Sequence, residues 1–170
     1  MRLFFLTVGV SVFVFLGTMQ MYGQRLNDKK TVIEHAVRNA MEKCEFIIGV
    51  DYAFPAKGTP INLTSDYTLE VRKDSVYAYL PYFGRAYNIP YGGGDGLIFE
   101  APIHEYKAEY QGKGKFIIRF TATNNEDKYL FFLTVFDNGL AEINISPVNR
   151  QPISFRGNLI LPAENHKADR

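Results

Sequence analysis

A chain of 170 residues has room for one domain, and a hydrophobic content of 46% supplies a core for it. The 19 basic and 18 acidic side chains leave a formal charge of +1, which excludes the concentrated positive charge on which nucleic-acid binding depends. Cys44 is the single cysteine, so an intrachain disulfide is excluded, and stability must come from packing, with 14 Phe and 11 Tyr as material.

Met1-Arg2 makes a short basic start, and Leu3 to Leu16 then runs apolar, broken only by Thr7, Gly9 and Ser11. A membrane span needs about 20 such residues, and this shorter run has the length of a signal-peptide core. Small and polar residues follow up to Gln24, and a cut after Gly23 puts a small residue at the cleavage site, although Met21 is large for a small-x-small pattern. The expected organisation is a signal peptide over 1–23, one β-rich domain over 24–161 and a polar tail over 162–170. Export to the periplasm or beyond is expected, with no membrane span once the leader is removed. Cleavage takes Arg2 with it and leaves 18 basic against 18 acidic residues, a formal balance of zero.

Asn27-Asp28 offers an N-cap, and the spacing of Ile33, Val37, Ala40 and Cys44, with Ala36 and Met41 beside them, predicts an amphipathic helix to about Phe46. Glu34, Arg38, Asn39, Glu42 and Lys43 take its polar side. From residue 46 the period becomes alternating. Strands are predicted over Phe46–Phe54, Tyr67–Arg72, Ser75–Tyr82, Leu97–Ala101, Glu105–Tyr110, Phe116–Thr123, Tyr129–Phe136, Leu140–Ser146 and Ile153–Leu159. Tyr129–Phe136 is apolar on both faces, the pattern of a strand covered on each side. Asp137-Asn138-Gly139 is a hairpin signal. Short turns between about eight strands imply antiparallel pairing, because parallel neighbours need long crossovers. The expected fold is therefore mainly β: an N-terminal helix packed on an antiparallel sheet that forms a sandwich or a partly open barrel.

The most distinctive run is Leu80-Pro81-Tyr82-Phe83-Gly84-Arg85-Ala86-Tyr87, followed by a Gly-rich loop and Gly96-Leu97-Ile98-Phe99. It resembles the bacterial family catalogued as domain of unknown function 4251. The similarity runs from about Asp28 to Leu159 and takes in the helix, Ser65-Asp66-Tyr67, Asn138-Gly139 and Ile153-Ser154-Phe155-Arg156-Gly157. The resemblance implies an exported protein of Gram-negative bacteria, and it carries no catalytic residues over to this chain.

Taken physically, Tyr77, Tyr79, Tyr82, Phe83, Tyr87 and Tyr91 put many rings with polar tips into one segment, which suits an interface or a ligand cleft. Arg85 among them can meet a carboxylate or phosphate. The candidate ligand-binding residues are Tyr82, Phe83, Arg85, Tyr87, Tyr91 and Asp95. The plainer alternative is that the tyrosines cap the edge of the core and Arg85 stacks on a ring.

Other constellations carry less. Gly92-Gly93-Gly94-Asp95-Gly96 lacks the Lys-Ser/Thr of a phosphate loop and supplies one calcium ligand. Glu105 and Glu109 fall about 13 Å apart along a strand, too far for the carboxylate pair of a glycoside hydrolase, and Lys107 lies between them. His35, His104 and His166 stand in no ligand spacing. Cys44 lies on the helix's apolar stripe. Asn62-Leu63-Thr64 and Asn144-Ile145-Ser146 match a glycosylation pattern that is common by chance. No catalytic, metal or cofactor site is expected. The expected partner is a small molecule or an envelope protein. Alternatives are a hydrolase whose site assembles only in three dimensions, or a structural protein using an exposed strand edge.

Overall fold

The computed structural model describes residues 31–87 and 96–160. Helix α1 occupies 31–43 of this range. Val37 and Met41 are its fully buried side chains, with Ile33, Ala40 and Cys44 half-buried beside them, as the apolar stripe predicts. Its predicted cap at Asn27-Asp28 lies outside the described residues. The helix ends where Cys44 takes a left-handed conformation (φ 54°) and the chain turns directly into the first strand.

Eight strands follow: β1 (Glu45–Pro55), β2 (Ile61–Arg72), β3 (Ser75–Leu80), β4 (Leu97–Gln111), β5 (Lys115–Thr123), β6 (Lys128–Phe136), β7 (Leu140–Pro147) and β8 (Ile153–Leu159). Each pairs antiparallel with its sequence neighbour, and β8 pairs back onto β1 from Ile48↔Leu159 to Pro55↔Ile153. The sheet is thus a closed barrel, which replaces the expected sandwich or partly open barrel. Closure depends on a long-range pairing that no local pattern encodes. At this seam Gly157 of β8 has no room for a side chain, because a Cβ would fall on the Gly49 carbonyl of β1.

Inward-facing side chains fill the barrel. Phe46, Ile48 and Val50, then Leu69 and Val71, Ile118 and Phe120, Phe131 and Leu133, Ile143 and Ile145, and Phe155 all belong to one buried cluster. Each fully buried residue of this kind stabilises the fold by about 1.5–3 kcal/mol relative to exposure. A run of rings crosses the interior: Phe99 stacks on Tyr129 at 4.3 Å, and Phe120 on Phe131 at 4.6 Å, between ring centroids.

Three expectations about strands change. The segments Leu97–Ala101 and Glu105–Tyr110 are one strand, β4, carrying a bulge between His104 and Lys107 where Glu105 is left-handed (φ 57°). The bulge breaks the alternation, so Glu105 and Glu109 are not simple same-face neighbours. Strand β2 begins at Ile61 rather than Tyr67. Its register with β1 passes from Val50↔Tyr67 to Tyr52↔Asn62, so Leu63–Asp66 bow out against Asp51 and hide the period. Strand β3 stops at Leu80, because Pro81 ends the ladder and Tyr82 turns inward.

Strand β6 is not covered on its outer face. Tyr129, Phe131, Leu133 and Val135 point inward, whereas Leu130 is exposed and Phe132 lies under the Arg119 guanidinium at 5.2 Å. A barrel has only one interior, so a strand apolar on both faces need not be sandwiched between layers.

Candidate functional site at the strap end of the barrel

The two ends of the barrel are closed differently. Helix α1 covers one. There the Tyr106 hydroxyl donates to the Met41 carbonyl at 3.1 Å, and the Cys44 thiol donates to the Lys73 carbonyl at 3.1 Å. Burial pushes the Tyr106 phenol far above its ordinary range, with Cys44 adding to the effect. Burial also raises the Cys44 thiol. Cys44 is thus a packed, hydrogen-bonded residue without the environment of a reactive thiolate.

The other end is crossed by a strap, residues 81–87, that leaves β3 and lies against the β7–β8 connection. Tyr87 N–H donates to the Asn149 carbonyl at 2.7 Å, and Gln151 N–H donates to the Arg85 carbonyl at 3.0 Å. Between these bonds Ala86 and Arg150 form an isolated antiparallel bridge. The Tyr82 hydroxyl reaches two carbonyls, Arg85 at 3.1 Å and Gln151 at 3.0 Å. Gly84 packs so closely on the Tyr82 phenol that a Cβ there would collide with it. Burial raises the Tyr82 phenol above its ordinary range.

Two buried charged residues underlie the strap, Asp127 and Arg150, each 5% exposed. Burying a charge is costly unless hydrogen bonds replace its water, and here they do. The Asp127 carboxylate accepts from the backbone N–H groups of Lys128, Val148 and Asn149 at 2.8 to 3.1 Å. This fixes the β5–β6 turn to the β7–β8 connection. The Arg150 guanidinium donates to the Gly96 carbonyl at 2.8 Å and to the Glu126 carboxylate at 2.9 Å, and lies 5.7 Å from the Tyr82 ring centre. Tyr129 sits beneath, its phenol also raised by burial.

The structure therefore divides the sequence candidates. Tyr82 is an internal strut. Phe83 and Tyr87 project outward, 39% and 68% exposed, with Arg85 exposed between them. On the wall, Tyr79 and Ile98, paired across β3 and β4, are also exposed. Tyr91 and Asp95 lie outside the described residues, as do Gly92 to Gly94 and His166. The arginine placed over a ring here is Arg150, not Arg85. Sequence reasoning did not single out Glu126, Asp127, Arg150 or Gln151. The one available signal was their place in two short polar connections, Asn124–Asp127 and Asn149–Pro152.

Elsewhere the chemistry is sparse. Among the described residues no group of three or more His, Cys, Asp or Glu side chains could hold a metal ion. His35 on α1 and His104 on β4 are both exposed. A groove of about 750 Å³ runs between α1 and the β1–β2–β3 rim. On its rim Lys73 pairs with Glu45 at 3.7 Å and Arg72 with Glu70, over a floor that includes Ala40, Phe46 and Ile47.

A crystal structure of a DUF4251 family protein from Bacteroides eggerthii resembles the fold with a TM-score of 0.60 at 18% sequence identity, covering 76% of this chain and 88% of that one. At that identity the likeness concerns the fold alone. No curated protein sequence matches the chain. The sequence pattern of the family described as domain of unknown function (DUF4251) matches residues 28–159, the span named by the resemblance, and the chain belongs to that family.

Proposed function

We propose that the protein is an exported, non-catalytic binding module that recognises a small molecule or an envelope protein through the strap end of its barrel. One observation carries this reading. Phe83, Arg85 and Tyr87 are held outward by a backbone that is itself tied down at Tyr82, Arg85 and Tyr87. Exposed aromatic and guanidinium groups on a fixed frame lose little entropy on binding, the property of a preorganised surface. A ligand held in the barrel lumen is disfavoured, because the buried cluster occupies it.

The leader-like start supports export. The polarity of the wall supports a domain that does not span a membrane. Glu70, Arg72, Glu100, Lys107, Glu109, Arg119 and Arg156 lie on the outer surface around an apolar interior, the reverse of a membrane barrel, whose outward band is apolar. The same mixture of signs disfavours nucleic acid. Assembly through strand edges is weakened by the bulges. The six-residue β3 is shorter than both neighbours, and the overhanging parts of β2 and β4 each contain an irregularity that disrupts edge pairing.

Native mass spectrometry of gently purified protein tests the proposal. The wild type is expected to retain a bound mass that the Phe83→Ala/Arg85→Ala/Tyr87→Ala variant loses while keeping its β-type circular dichroism. Identical spectra for the two proteins would sink it.

A further inference from the structure

We infer that the strap 81–87 is a latch, opening and closing as a unit independent of the barrel, and that the Arg150–Glu126 ion pair sets how much of the protein presents the closed, binding surface. This deepens the proposed function, since it concerns regulation of the same surface, but its test needs no partner.

Three features carry it. First, the strap is held mainly by polar contacts. Phe83, Gly84, Arg85 and Tyr87 are exposed and Tyr82, its one inward ring, is only half-buried against the core, so the strap buries little apolar surface, and segments of this kind open at far lower free energy than a packed core. Second, its seat does not depend on it. The β7–β8 connection is fixed from below by Asp127, which binds the N–H groups of Val148 and Asn149, so the strap can lift while its docking site stays formed. Third, the pin is asymmetric. Arg150 is 5% exposed, but the Glu126 side chain that pairs with it is 44% exposed. Water and salt therefore reach the carboxylate, and loss of that partner leaves a buried cation with the Gly96 carbonyl and the Tyr82 ring as its remaining contacts. In the closed state Phe83, Arg85 and Tyr87 stand in a fixed array; in the open state Tyr82 gives up the Gln151 carbonyl and the array is lost. A partner that needs the array then binds in proportion to the closed fraction.

Hydrogen exchange resolved by residue tests this. In the wild type the Tyr87 and Gln151 amides are expected to exchange much faster than Ile118 and Leu133 of the barrel wall. Glu126→Gln is expected to speed Tyr87 and Gln151 about tenfold without changing Ile118 or Leu133. Moving the wild type from low to molar salt is expected to act in the same direction, because a half-exposed pair is screened. Exchange of strap and wall amides at matching rates would overturn the independence of the strap. Unaltered strap rates in both Glu126→Gln and high salt would overturn the role of the pair.

Discussion

The helix end and the strap end close the same barrel by opposite means. At the helix end, Val37 and Met41 are fully buried against the cluster, with the Tyr106–Met41 and Cys44–Lys73 hydrogen bonds beside them. At the strap end the cover is held largely by polar contacts, Phe83 and Tyr87 face solvent while Tyr82 turns inward, and the described buried charges, Asp127 and Arg150, lie beneath it. Apolar cover is gained wherever it packs, whereas a polar network is stable only while every member keeps its partner. One end is accordingly a permanent part of the core. The other can be displaced without unfolding the barrel, and surfaces that bind are drawn from such regions.

The largest effect expected from breaking this contrast is at the helix. Met41→Ala removes a fully buried side chain and is expected to cost about 2–5 kcal/mol in urea unfolding, with the whole barrel responding cooperatively. Asp127→Ala comes next, at about 1–3 kcal/mol, because it strips the acceptor from the N–H groups of Lys128, Val148 and Asn149. Its signature is increased exchange confined to the strap end, and a uniform rise across the wall would merge the two ends into one cooperative unit.

Alkaline pH sharpens the comparison further. Tyr106 at the helix end and Tyr129 and Tyr82 at the strap end all have phenols raised by burial. Below about pH 10 these groups are neutral folded and unfolded alike. Above it the unfolded chain loses protons that the folded chain keeps, so stability falls as pH rises. Urea unfolding from neutral to alkaline pH is expected to show this slope. Tyr106→Phe is expected to flatten it more than Tyr82→Phe. The smallest effect is at Arg85, whose side chain is exposed. Arg85→Ala is expected to shift stability by no more than about 0.5 kcal/mol while weakening capture of the bound mass. A large loss of stability would return Arg85 to a structural role.

The sequence carried the fold where the signal was local. The stripe of Ile33, Val37 and Met41, and the alternation through β5 to β8, predicted the helix and half the barrel closely. It lost accuracy where the chain departs from regular period, at Leu63–Asp66 and Glu105. It left closure open because the Gly49–Gly157 seam joins residues more than a hundred positions apart. At the site, the Leu80–Tyr87 run was conspicuous in composition, yet composition could not tell the inward Tyr82 from the outward Phe83 and Tyr87. That distinction comes from Gln151 and Arg150, which the fold brings to the strap from a distant connection.

Site-specific photocrosslinking in producing cells compares the two ends most directly. With a photoreactive residue in place of Tyr87, the protein is expected to form a discrete adduct, and with the same residue in place of exposed Glu42 on α1 it is expected to form none. Equal labelling from both positions, or labelling from position 42 alone, would contradict the assignment of recognition to the strap.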